Sequence, residues 1–205
     1  ARGDSACERF FLLESNLIKE HQKTKTALLS VETQRQLSDF SVIFVMLSFE
    51  MDYDNLLTVL ELGNIKLRAE MRNEKEPLVI IGGPCATFNP EPLAAVADAF
   101  VIGEGEETVQ KILDTIYTNT SKEEKLLNLA NLPGVYVPKY YTPEYNEDDE
   151  FVGMTHDERV PAKIARQWVK DIDAYPHTSA IVTSGTEFED MYIVEVARGC
   201  GRHCR

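Results

Sequence analysis

Two cysteines near the end of the sequence have the type and spacing to do chemistry. Cys200 and Cys204 stand with three residues between them in Arg198-Gly199-Cys200-Gly201-Arg202-His203-Cys204-Arg205. The apolar run over residues 191–197 leads straight into them and reads as a strand. A strand would therefore deliver two thiolates onto a glycine-rich loop. An iron–sulfur cluster needs this arrangement, because the backbone must wrap the cluster while its amides point at the sulfurs, and glycine permits both. The spacing alone leaves a zinc half-site, a redox pair or an inert pair open as well. Cys7 and Cys85 are isolated and read as small apolar residues, and His203 reads as a solvent-facing loop residue.

A second group of residues sits where strands give way to loops. Ser48 ends the β-branched run 41–48, Gly82-Gly83-Pro84 closes the run 78–81, and Gly103-Glu104-Gly105-Glu106-Glu107 follows the run 99–102. Glycine lets backbone approach a bulky ligand and a small hydroxyl can donate a hydrogen bond to it. The plainer readings are a tight strand-to-helix turn at Gly82 and Gly83, and stabilisation of a helix N-terminus by the acids 104, 106 and 107.

The elements that must position these loops follow from periodicity. Helical spacing marks residues 5–23, 55–62, 91–97, 106–117 and 126–132. Strand patterns mark 28–32, 41–48, 78–81, 99–102 and 134–138. Residues 140–150 read as an acidic loop, and 162–176 as a connector with one short helix. Alternating strands and helices predict an α/β fold with a doubly wound parallel sheet, whose ligands sit beyond the carboxyl ends of the strands. A chain opening on a helix also suggests a first strand lying upstream.

The tail resembles the C-x3-C-x2-C motif of radical S-adenosylmethionine (radical SAM) enzymes, including its Arg-Gly-Cys lead-in. The resemblance puts a third cysteine two positions past Arg205. It implies that Cys200 and Cys204 ligate a 4Fe–4S cluster whose open iron chelates S-adenosylmethionine and reduces it to a 5′-deoxyadenosyl radical. Leu47-Ser48-Phe49, Ile80-Ile81-Gly82-Gly83-Pro84 and the run 101–107 resemble the N-terminal domain of the cobalamin-binding subclass. That domain has a flavodoxin-like, Rossmann-type fold. In it the Ser and Gly-Gly loops, here Ser48, Gly82 and Gly83, approach the corrin's nucleotide tail, while Gly103 and Glu104 open the last helix. The run from Asp39 through Pro92 and on to Thr186-Glu187-Phe188 is most similar to an uncharacterised bacterial radical SAM family. The domains implied are 1–145, cobalamin-binding-like; 146–187, connector; and 188–205, the first strand of a βα barrel. The partner implied is the protein's own downstream barrel, and the chain alone is expected to be inert. One departure bears on cobalamin: D-x-H-x-x-G, which supplies the lower axial histidine, is missing around His21, His156 and His177.

Composition limits the remaining options. With 34 acidic against 21 basic residues and a net charge of −13, no nucleic-acid surface is expected. No apolar run approaches the roughly 20 residues of a membrane span and no signal peptide is evident, which predicts a cytoplasmic protein.

Overall fold

The computed structural model describes residues 2–176, 178–180, 182, 184–185 and 190–199. Cys200, His203, Cys204, His177 and the Thr186-Glu187-Phe188 run lie outside the described residues. The chain divides into two units, Ala1–Trp168 and Val169–Arg205.

The first unit is built on a four-stranded sheet in the order β1 (Val42–Met46), β2 (Leu78–Gly82), β3 (Ala99–Val101), β4 (Val135–Tyr136). The first three strands are parallel, and β4 runs antiparallel to β3. The parallel α/β expectation therefore holds for β1 to β3, with an antiparallel strand at the far edge. The order follows the sequence without a reversal, so the switch point of a doubly wound sheet is absent among the described strands. The antiparallel strand arises from its connection. Helices α4 (Thr108–Ile116) and α5 (Lys122–Ala130) pack on each other and return the chain to the carboxyl end of β3, where Gly134 accepts a hydrogen bond from Ile102. Ser121 starts α5 by accepting from the Glu124 amide, with Glu123 and Glu124 complementing the helix N-terminus.

Register explains the composition of the strands. Ile43, Val45, Val79, Ile81 and Phe100 share one face, and Phe44, Met46, Leu78, Ile80, Ala99 and Val101 the other. The central strand β2 is buried on both faces, as its uninterrupted apolar run requires. Helix α2 (Tyr53–Leu62) sends Leu56 and Leu60 into the same core, and α4 sends Ile112 and Ile116. Gly63 follows α2 because a Cβ there would stand 2.6 Å from the Leu37 side chain. Burying these side chains contributes about 1.5–3 kcal/mol each.

Several elements depart from periodicity, chiefly where tertiary contacts override it. The first helix, α1, spans only Ser15–Thr24. Upstream of it the chain docks on the turn at 30–33: Glu8 accepts from Ser30 and Thr33, the Arg9 carbonyl accepts from the Val31 amide, and Phe10 packs edge-on against Phe40. The strand expected over 28–32 is that turn, closed by an isolated antiparallel bridge of Leu29 with Gln36 and tied to the end of α2 by the Leu28 amide, which donates to the Leu62 carbonyl. The helix expected over 91–97 is a 3₁₀ turn, Glu91–Leu93, after which the Val96 and Ala97 amides donate to the Leu93 carbonyl. A five-residue helix α3 (Pro84–Phe88) precedes it, with proline at its first position. Half of the expected acidic loop is a strand: β5 (Tyr141–Tyr145) pairs antiparallel with β6 (Phe151–His156). The acids 147–150 occupy its turn, which Asn146 organises by accepting from the amides of Asp148 and Glu150.

In the second unit the run 191–197 carries one isolated bridge, Val194 with Thr178, flanked by a hydrogen bond from the Ser179 amide to the Ile193 carbonyl. Met191, Tyr192, Ile193, Val194 and Val196 are exposed. No helix among the described residues is long and apolar enough to cross a membrane.

Candidate functional site

The three loops singled out in the sequence all lie beyond the carboxyl ends of β1, β2 and β3, so the topology brings Ser48, Gly82, Gly83, Gly103 and Glu104 to one edge of the sheet. Ser48 is exposed there. Beside it the main chain of Leu47 is held at both ends: its amide donates to the Gly82 carbonyl at 2.9 Å, and its carbonyl accepts from the Cys85 amide at 3.2 Å. Gly83 has φ of +96°, and a Cβ on it would stand 2.6 Å from the Leu47 carbonyl oxygen. Its lack of a side chain is thus used for the close approach of neighbouring backbone. Gly82 differs, because a Cβ there would meet only the Val101 side chain at 3.7 Å.

The third loop is engaged in the same way. Gly103 has φ of +103°, and its amide donates to the Thr87 hydroxyl at 3.0 Å. A segment from far down the chain lies on this loop: the Gln167 amide donates to the Ile102 carbonyl at 2.9 Å, and the Glu104 amide donates to the Gln167 carbonyl at 3.0 Å. A Cβ on Gly103 would fall 2.0 Å from that Gln167 carbonyl, and one on Gly134 would fall 2.3 Å from the Gln167 side chain. The two glycines leave room for Gln167. Sequence reasoning had placed Gln167 in a connector, and no periodicity or motif marks it.

Between the loops, the Tyr53 hydroxyl sits against the Cys85 thiol. Burial, with that thiol and Glu50 adding to it, pushes the tyrosine above its ordinary range. Among the described residues no three His, Cys, Asp or Glu side chains converge to hold a metal, and the free cysteines Cys7 and Cys85 are exposed and buried respectively.

The amino edge of the sheet is built differently. Asp98, just before β3, accepts from Arg72 Nε at 3.1 Å and Nη2 at 2.9 Å and from the Val79 amide at 2.8 Å; Lys122 Nζ lies 3.1 Å from its second oxygen. The side chains of Arg72 and Asp98 are 0% and 2% exposed, and that of Lys122 14%. Arg72 also donates to the carbonyls of Lys66, Leu67 and Val96. This cluster floors a groove of about 800 Å³ walled by Ala94, Ala95, Tyr136 and Tyr141. Every buried side-chain polar atom among the described residues has a partner. Burial and the Glu91 carboxylate drive the Tyr136 hydroxyl far above the usual phenol range, and burial raises Tyr141.

Residues 1–138 match the family described as "Radical SAM proteins, N-terminal". The chain belongs to this family. The parallel strands and the glycine loops lie within the matched residues, and the groove extends beyond them at Lys139, Tyr141 and Pro143. An uncharacterized protein of Methanocaldococcus jannaschii is 25% identical over 193 residues, covering 93% of this chain and 35% of its own length. The chain thus spans about a third of the length of that relative. No solved structure matches.

Proposed function

We propose that this chain is the N-terminal accessory domain of a radical SAM iron–sulfur enzyme, acting by packing and recognition and carrying no corrinoid. The observation that carries the reading is the family match over residues 1–138. In the full-length protein Cys200 and Cys204, with a third cysteine beyond Arg205, hold a 4Fe–4S cluster. Bound to that site, the cluster supplies the electron that cleaves S-adenosylmethionine. The exposed apolar run 191–196 supports the view that this stretch becomes the first strand of a barrel, because such a row of side chains needs neighbouring elements to cover it. The main-chain contacts at Gly83 and Gly103 support packing over corrinoid binding. The close approaches these glycines permit are made to Leu47 and Gln167, within the domain itself. The acidic balance of the chain fits a domain with no nucleic-acid partner.

The test uses the full-length protein purified without oxygen. About four irons and matching sulfide per chain, with an electron paramagnetic resonance spectrum altered by S-adenosylmethionine, is the expected result. Zinc in place of iron, or no metal, overturns the enzyme reading. Retention of added hydroxocobalamin through gel filtration overturns the corrinoid-free part alone.

A further inference from the structure

Strand β1 ends the sheet, and its outer edge is open. In the parallel ladder the Leu78 amide donates to the Ser41 carbonyl and the Leu47 amide to the Gly82 carbonyl. Residues 41, 43, 45 and 47 therefore bond inward to β2, and the amides and carbonyls of Val42, Phe44 and Met46 point outward. Among the described residues no hydrogen bond reaches them. The side chains tell the same story: Phe44 is 43% exposed and Met46 77%, although their neighbours on that face, Leu78 and Ile80, are buried.

Edges left permanently to water are blunted by lysine, proline, a bulge or an inward charge. Val42-Ile43-Phe44-Val45-Met46 has none of these, and its pairing with β2 is free of register shifts. Such an edge is an aggregation hazard unless it is covered at all times. A strand tethered in the same polypeptide provides constant cover, because its effective concentration does not fall on dilution. The M. jannaschii relative has ample chain for this, the matched stretch being 35% of its length. Self-pairing of two copies is disfavoured by charge. An antiparallel pair centred on Phe44 would bring Asp39 and Ser38 of one copy beside Phe49 and Glu50 of the other, gathering Asp39, Glu50 and Asp52 from both.

We propose that β1 is an interior strand of the complete protein, its outer edge paired with a β-strand contributed by the same polypeptide from outside residues 1–205. The added strand bonds Val42, Phe44 and Met46 and covers the Phe44 and Met46 side chains. The proposal rests on the chain being part of a longer protein, as the proposed function does, but not on the cluster.

Residue-resolved hydrogen exchange on the full-length protein tests it. The amides of Ile43 and Val45 bond to β2 in any case and serve as internal controls. The expected result is that the Val42, Phe44 and Met46 amides exchange at least about a hundredfold more slowly than free-peptide amides, equally at low and high protein concentration. Free-peptide rates at these three, with Ile43 and Val45 protected, overturn the proposal. Protection that disappears on dilution overturns it too, by naming a second copy as the occupant. Metal analysis on the same sample keeps the two readings apart, since an iron-loaded protein with an unprotected edge fails only this one.

Discussion

Replacing Asp98 with alanine removes the acceptor at the centre of the buried Arg72–Asp98–Lys122 cluster. Breaking a buried ion pair by deleting one partner costs about 3–5 kcal/mol, because the other charge is left uncompensated. Here the cost belongs in the lower half of that range. Arg72 keeps the carbonyls of Lys66, Leu67 and Val96, and Lys122 keeps the Arg72 carbonyl and some access to water. The Val79 amide, which donates to Asp98 at the start of β2, loses its partner as well and adds about 1 kcal/mol. A total of about 4–5 kcal/mol corresponds to a fall in Tm of roughly 10–15 °C for a unit of this size. Asp98→Asn keeps the shape and one acceptor while removing the charge, and should fall between wild type and Asp98→Ala. Urea unfolding followed by far-UV circular dichroism measures both variants, and Arg72→Ala completes a double-mutant cycle with Asp98→Ala. A strong coupling is expected, the double variant being much less destabilised than the sum of the singles. If Asp98→Ala costs under about 1 kcal/mol, the range of exposed pairs, the cluster is hydrated and the reasoning fails.

The glycines offer a matched pair. Gly83→Ala forces a Cβ into the Leu47 carbonyl at positive φ and should destabilise by roughly 2 kcal/mol or more, whereas Gly82→Ala should stay within about 0.5 kcal/mol in the same unfolding assay. Gly103→Ala should expel the Gln167 segment, which limited proteolysis would report as faster cleavage near residues 164–168 at temperatures where the sheet remains folded. Tyr136, Tyr140 and Tyr141 all have hydroxyls pushed upward in the folded state, chiefly by burial. Their native states hold protons that the unfolded chain releases above about pH 10, so stability is intact below that pH and falls as pH rises beyond it. Absorbance at 295 nm should show these phenols titrating together with unfolding, and titration while the far-UV signal is native would refute it. In the full-length protein, Cys200→Ala should abolish iron binding without changing the unfolding of residues 1–168; retained iron would remove Cys200 from the ligand set.

The parallel core was legible because its strands are buried on both faces. Runs such as 78–81 have no polar alternation, and the helices between them end at readable signals such as Gly63. The carboxyl-edge placement of Ser48, Gly82 and Gly103 followed from the same strands. Three features were not legible. Phe10, Phe11 and Leu13 have helical spacing, yet residues 8–10 are held by Ser30, Thr33 and Phe40, contacts that local pattern cannot anticipate. The antiparallel course of β4 depends on α4 and α5 folding back on each other, and a strand pattern carries no direction. The partner of Gly103 lies more than sixty residues away in Gln167, within a stretch whose composition reads as linker.

That last contact bears on where this polypeptide can be cut or grafted. A chain trimmed at residue 145, the domain end that the resemblance implies, would lose β6, whose pairing stops β5 from lying loose. It would also lose the peptide that seats the turn after β3. The Ile102 carbonyl and the Glu104 amide would then have to turn to solvent. Transplanting the domain onto another enzyme, or probing it in isolation, therefore requires the sequence through Trp168 to travel with it. The stretch between the hairpin and Trp168 behaves as the last staple of this unit.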